Sequence, residues 1–127
     1  MSLGRPRITT TLLMWFGLLG APSAWTLQHV AGVGLTVANC GPAAGTGGRI
    51  HLDAWTIVVS AAAVVVTVAG LLAALATWRR TRDVGTEPPG SRIHFLALVA
   101  LTTTPLFLCI MVMSAVGVVV LGGCRQS

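Results

Sequence analysis

Eight basic and three acidic side chains are all the formal charge that this chain of 127 residues carries, and they avoid most of its length. The segments Ile8–Gly48, Ala54–Trp78 and Ile93–Cys124 hold no Asp, Glu, Lys or Arg. Each is longer than the roughly 20 apolar residues that cross a bilayer as a helix. With 9% charged and 54% hydrophobic residues, the chain lacks the polar surface of a soluble domain, which carries about 25% charged residues. The expected class is all-α and integral to the membrane. A single membrane domain over 1–127 would hold three transmembrane helices, roughly 12–37, 54–78 and 93–121.

All eight basic residues are Arg, and they lie at the ends of the apolar stretches. There they act as topology signals and form no phosphate-binding stripe, so nucleic acid is not an expected partner. Arg5, Arg7, Arg79, Arg80, Arg82 and Arg92 fall on one side of a three-span layout, and Arg49 and Arg125 on the other. The positive-inside rule then predicts a cytoplasmic N-terminus and an extracytoplasmic C-terminus.

The start of the chain also has the make-up of a signal peptide: a basic end, apolar Leu12–Leu19, and small residues at Ala21-Pro22-Ser23. The apolar pattern runs on past that point, which favours an uncleaved anchor. A helix over 12–37 would be about 39 Å long against a hydrocarbon core of about 30 Å. Tilting or kinking is expected, with Pro22 the natural kink. Asn39-Cys40-Gly41-Pro42 should stop this helix. Trp55 and Trp78 bracket the second span and are expected to anchor its two interfaces with lipid. Pro105 interrupts the third span, and the hydroxyls of Thr102, Thr103 and Thr104 are placed to bond carbonyls around it. No repeat relates the three spans.

Few residues offer chemistry. Cys40 and Cys124 follow the first and third spans and share the outer face in this layout, an oxidising location. A disulfide between them, two separate thiols, or a thiolate metal site with His51 are the available readings. His29, beside Gln28, is the notable polar group within a span, and such a residue is a functional hypothesis by default. A haem ligand is one reading. The other is a neutral imidazole bonding across a helix interface. His29, His51 and His94 are expected at three different depths, which excludes a bis-His haem site within one chain. The pairs Gly17–Ala21, Gly20–Ala24 and Gly70–Ala74, with Ser114 and Gly117, could let helix backbones approach closely. No span holds a carboxylate, and no phosphate loop, nucleophile elbow or zinc-hydrolase motif occurs. The chain is thus not expected to be an enzyme, to hold a cofactor or metal, or to act on a small-molecule substrate.

Two stretches carry a resemblance. One runs from Trp15-Phe16-Gly17-Leu18-Leu19-Gly20-Ala21-Pro22 through Trp25 and Gln28-His29 to Cys40. The other runs from Arg92-Ile93-His94-Phe95-Leu96-Ala97 through Pro105-Leu106-Phe107-Leu108 and Met113-Ser114 to Cys124. Together they resemble small three-helix membrane proteins encoded beside cytochrome c oxidase genes in high-GC bacteria, a source that the absence of Lys also fits. The resemblance implies a non-catalytic accessory subunit of a respiratory complex in the bacterial inner membrane, with other integral membrane subunits as partners. Alternatives are an oxidase assembly factor handling copper or haem at the outer face, and a small homo-oligomeric membrane protein or pore.

Overall fold

The computed structural model describes residues 5–40, 52–83 and 90–121. They form three helices: α1 (Arg5–Cys40), α2 (Leu52–Thr81) and α3 (Gly90–Leu121). Each covers its expected span and extends it by several residues. Two are long and apolar enough to cross a membrane, over Ala54–Thr81 and Gly90–Leu121. The expected first span is helical throughout, but α1 falls short on hydropathy, because Pro22, Ser23, Thr26, Gln28 and His29 dilute its middle. α1 ends at Cys40, where the Asn39-Cys40-Gly41-Pro42 signal put the stop. It passes through Pro22 as one helix, as α3 does through Pro105.

Contacts fix the direction of each helix. Gly17 meets Ala74, and Gln28 meets Ser60, so α2 descends as α1 rises. Thr81 meets His94 and Thr67 meets Met111, so α3 rises again beside α2. Every pair of helices touches, α1 with α2 most extensively and α1 with α3 least. The bundle therefore has two distinct ends. One carries the start of α1, exposed Arg79, Arg80 and Arg82 at the end of α2, and exposed Arg92 in the first turn of α3. The other carries the end of α1, the start of α2 and the end of α3.

The buried positions obey one rule. On α2 they include Ser60, Ala63, Thr67, Gly70, Ala74, Thr77 and Thr81; on α1 Met14, Gly17, Ala21, Ala24 and Gln28; on α3 Ala97, Ala100, Thr104 and Met111. The α1 and α2 series step alternately by three and four, and α3 steps by three, four and then seven, one full repeat. That is the 3.5-residue period of helices wound around one another in a left-handed sense. Most of these residues are Gly, Ala, Ser or Thr, so the backbones come close. A Cβ built on Gly17 would lie 3.0 Å from the backbone nitrogen and from the Cβ of Ala74. On Gly70 it would lie 3.6 Å from the carbonyl oxygen of Phe16. This crossing contains the expected Gly17–Ala21, Gly20–Ala24 and Gly70–Ala74 pairs.

Hydroxyls on the buried seam spend their protons on their own helix. Thr67 donates to Ala63 O at 2.8 Å, Thr77 to Ala73 O at 2.9 Å and Thr81 to Thr77 O at 2.9 Å. A donor used in this way leaves the hydroxyl oxygen to accept from elsewhere. Thr81 Oγ1 lies 3.2 Å from His94 Nδ1, which ties α2 to α3 at the Arg-bearing end. Around Pro105, Thr102 and Thr103 both donate to Val99 O at 2.9 Å.

Candidate functional site

A layer of larger side chains interrupts the small-residue seam. Met111 of α3 is fully buried and packs with Ala24 of α1 and Ala63 of α2, with Trp25 and Phe107 against them. The Trp25 and Phe107 rings meet edge-on, their centroids 5.9 Å apart. Bulk at this level holds α1 and α3 apart. Beyond it the register continues through Leu35, Thr56, Ser114 and Val118, but the positions are no longer buried. Cβ atoms built on Gly32, Gly34 and Gly117 would meet nothing within 4 Å. Gly117, on the expected small ridge with Ser114, therefore packs against no helix. It lines an open cleft.

The cleft has a volume of about 520 Å³ and lies between the end of α1, the start of α2 and the end of α3. Its apolar walls are Val33, Leu35, Val37, Val59, Ala115 and Val118. Its polar groups are Gln28, His29, Thr36, Thr56, Ser60 and Ser114. Thr36 turns its hydroxyl back to Gly32 O at 2.9 Å, as Asn39 turns its amide to Leu35 O at 3.0 Å.

Gln28 forms the floor. Its side chain is buried, and Nε2 donates to Ser60 Oγ at 3.2 Å across the α1–α2 seam. Its Oε1 is also buried and has no partner, and neither has the indole N–H of Trp25 one turn earlier. An unmet buried polar atom costs about 1–3 kcal/mol. Exchanging the two ends of the amide, which are alike in shape, would leave the other end equally bare.

His29 was expected to bond across a helix interface or to serve as a haem ligand. The bond found is local: Nδ1 lies 3.1 Å from Trp25 O, on the same helix. The carbonyl can only accept, so in the neutral ring Nδ1 carries the proton and Nε2 keeps its lone pair. The ring stands at 4.6 Å from the Trp25 ring, is exposed, and lines the cleft. Gln28 makes the interhelical contact in its place. His94 lies at the opposite end of the bundle with Thr81, which agrees with the expected difference in depth.

Trp55 is exposed and Trp78 half-buried, at opposite ends of α2, about 35 Å apart along the axis at 1.5 Å per residue. Arg79, Arg80, Arg82 and Arg92 come together at one end, Arg82 lying 3.8 Å from its neighbour Asp83. Cys109 is an exposed free thiol on α3. Cys40 is the last residue of α1 and is not free. Cys124, His51, Arg49 and Arg125 lie outside the described residues, so the Cys40–Cys124 pair and a metal site with His51 do too. Among the described residues, no three His, Cys, Asp or Glu side chains gather as a metal site. Comparison with protein-family models, with curated proteins and with solved structures gives no match.

Proposed function

We propose that the chain is a non-catalytic accessory subunit of a larger integral membrane complex, a cytochrome c oxidase by the resemblance of its first and third helices. It lies in the bacterial inner membrane as three spans, N-terminus inside. One observation carries the reading. Most polar side chains that face the bundle are bonded to their own helix backbones, as Thr67, Thr77 and Thr81 are, or across a seam, as Gln28 Nε2 is to Ser60 and Thr81 to His94. Groups held that way stabilise a scaffold and do not converge on a reacting atom. Large apolar side chains such as Leu12, Leu27, Val65, Leu72, Leu106 and Val120 meanwhile point away from the bundle on all three helices, a surface suited to lipid and to neighbouring apolar helices.

The gathering of four described Arg side chains at one end supports a cytoplasmic location for that end. The cleft would then open in the outer half of the membrane. The same orientation puts Cys40 on the oxidising side, where a bond to Cys124 would join the outer ends of the first and third spans.

Purification of the tagged chain in a mild detergent tests the reading. The expected result is one copy of the chain per copy of the oxidase core. Recovery as a ring of identical chains, or loss from the mature complex, would overturn it in favour of a pore or an assembly factor.

A further inference from the structure

We propose that the cleft beyond Gln28 is a binding site for the hydroxyl-bearing head of a membrane amphiphile. This rests on the cleft's own geometry and stands whether or not the chain is an oxidase subunit.

Size is the first argument. At about 520 Å³ the cleft lies within the 300–1,000 Å³ typical of small-molecule sites. A spanning helix, about 10 Å across and 30 Å long, has several times that volume. The second argument is the unmet amide. Gln28 is 8% exposed, yet one end of its amide has no partner, while Ser60 holds the other. In the orientation with Nε2 on Ser60, the bare end is an oxygen that needs a donor. In the exchanged orientation it is an NH2 group that needs an acceptor. A hydroxyl satisfies either, once the amide, whose bare atom is closed off from the cleft as it stands, turns toward it. His29 adds a second acceptor, because its Nδ1 proton is engaged by Trp25 O and Nε2 stays open. The third argument is access. His29, Val33 and Val37 line the cleft and are exposed to the surroundings of the bundle. A head group can therefore enter sideways from the lipid, leaving its tail along the valines.

The test uses the full chain in nanodiscs of phosphatidylcholine, whose head has no hydroxyl, with binding read by native mass spectrometry. Three probes are added separately: monoolein, phosphatidylglycerol and methyl oleate. Monoolein and phosphatidylglycerol both offer hydroxyls, one from a free single-tailed lipid and one from a phospholipid head. Whichever binds names the source. The expected result is one molecule bound per chain for at least one of these two, and none for methyl oleate. Gln28→Leu should lower that binding at least fivefold. Gly117→Leu should abolish it by filling the cleft, with helix content and melting temperature unchanged, since the new side chain enters open space. Val119→Leu, on an exposed face, should bind like the parent chain. Equal binding of methyl oleate, no binding of either hydroxyl probe, or binding indifferent to both cleft substitutions would overturn the proposal.

Discussion

The two ends of this bundle use the same small residues to opposite effect. At one, Gly17, Gly20 and Gly70 bring α1 and α2 so close that a single added carbon at Gly17 meets Ala74 at 3.0 Å. At the other, Gly32, Gly34 and Gly117 face empty space. Composition along the helices is no guide to which will happen. The difference comes from what lies between, the layer of Trp25, Phe107 and Met111. A small residue permits close approach. It does not cause it, and a bulky layer one turn away can prevent it.

The sharpest contrast should come from paired glycine substitutions. Gly17→Ile drives a branched side chain into the α2 backbone and should cost about 1–3 kcal/mol, the usual range for overpacking, or more. Gly32→Ile, judged by the same steric test, should cost nothing and gain a few tenths of a kcal/mol, because isoleucine is a better helix former than glycine. Melting in detergent, followed by circular dichroism, checks both. Equal losses would mean that the open end is closed in solution.

The intervening layer is tested next. Met111 is 0% exposed and its sulfur lies 3.4 Å from the Thr67 hydroxyl oxygen. Met111→Ala should cost about 2–3 kcal/mol, the lower part of the range for truncating a buried methionine. It should also let α1 and α3 draw together. Met113→Ala, at a position 74% exposed, should be close to neutral. A spin-label pair on the outer ends of α1 and α3 would report any narrowing of the cleft.

A smaller effect separates the partners of the seam bond. Ser60→Ala leaves the buried Gln28 amide with neither end engaged, whereas Gln28→Leu removes the amide altogether. Interhelical bonds in membranes average about 0.6 kcal/mol, and stranding a partner costs more than deleting it. Ser60→Ala should therefore destabilise more than Gln28→Leu, and adding Gln28→Leu to Ser60→Ala should restore part of the loss. Reversible unfolding in mixed micelles measures the cycle. The smallest change expected is that of His29→Leu, whose lost bond lies within one helix. A shift within about 0.5 kcal/mol, typical of exposed sites, would agree. A haem absorption band lost with this substitution would instead revive a ligand role for His29.

The three helices were legible because charge is excluded from all but their ends, a signal read directly from Arg and acid positions. The seam was hidden for a physical reason. A helix such as α2 is apolar on every side, so polarity shows almost no period along it. What does repeat, at Ser60, Ala63, Thr67, Gly70, Ala74, Thr77 and Thr81, is small size. Reading volume in place of hydropathy would have found that register, and with it Met14 and Gln28 on α1. The role of His29 was not legible, since the choice between a neighbouring helix and its own carbonyl depends on where the ring rotates. The cleft was not legible at all. It is a failure of contact between Gly32 and Gly117, and sequence spacing describes only residues that could meet.

The layer at Trp25 and Phe107 also divides the molecule mechanically. Below it, backbone rests on backbone and little free volume is left to squeeze. Above it, three helix ends flank a void that pressure from the sides can narrow. Compressibility is thus confined to one end of the bundle. A bundle built this way yields at its open end, while the opposite end is held by the close contact of Gly17 with Ala74.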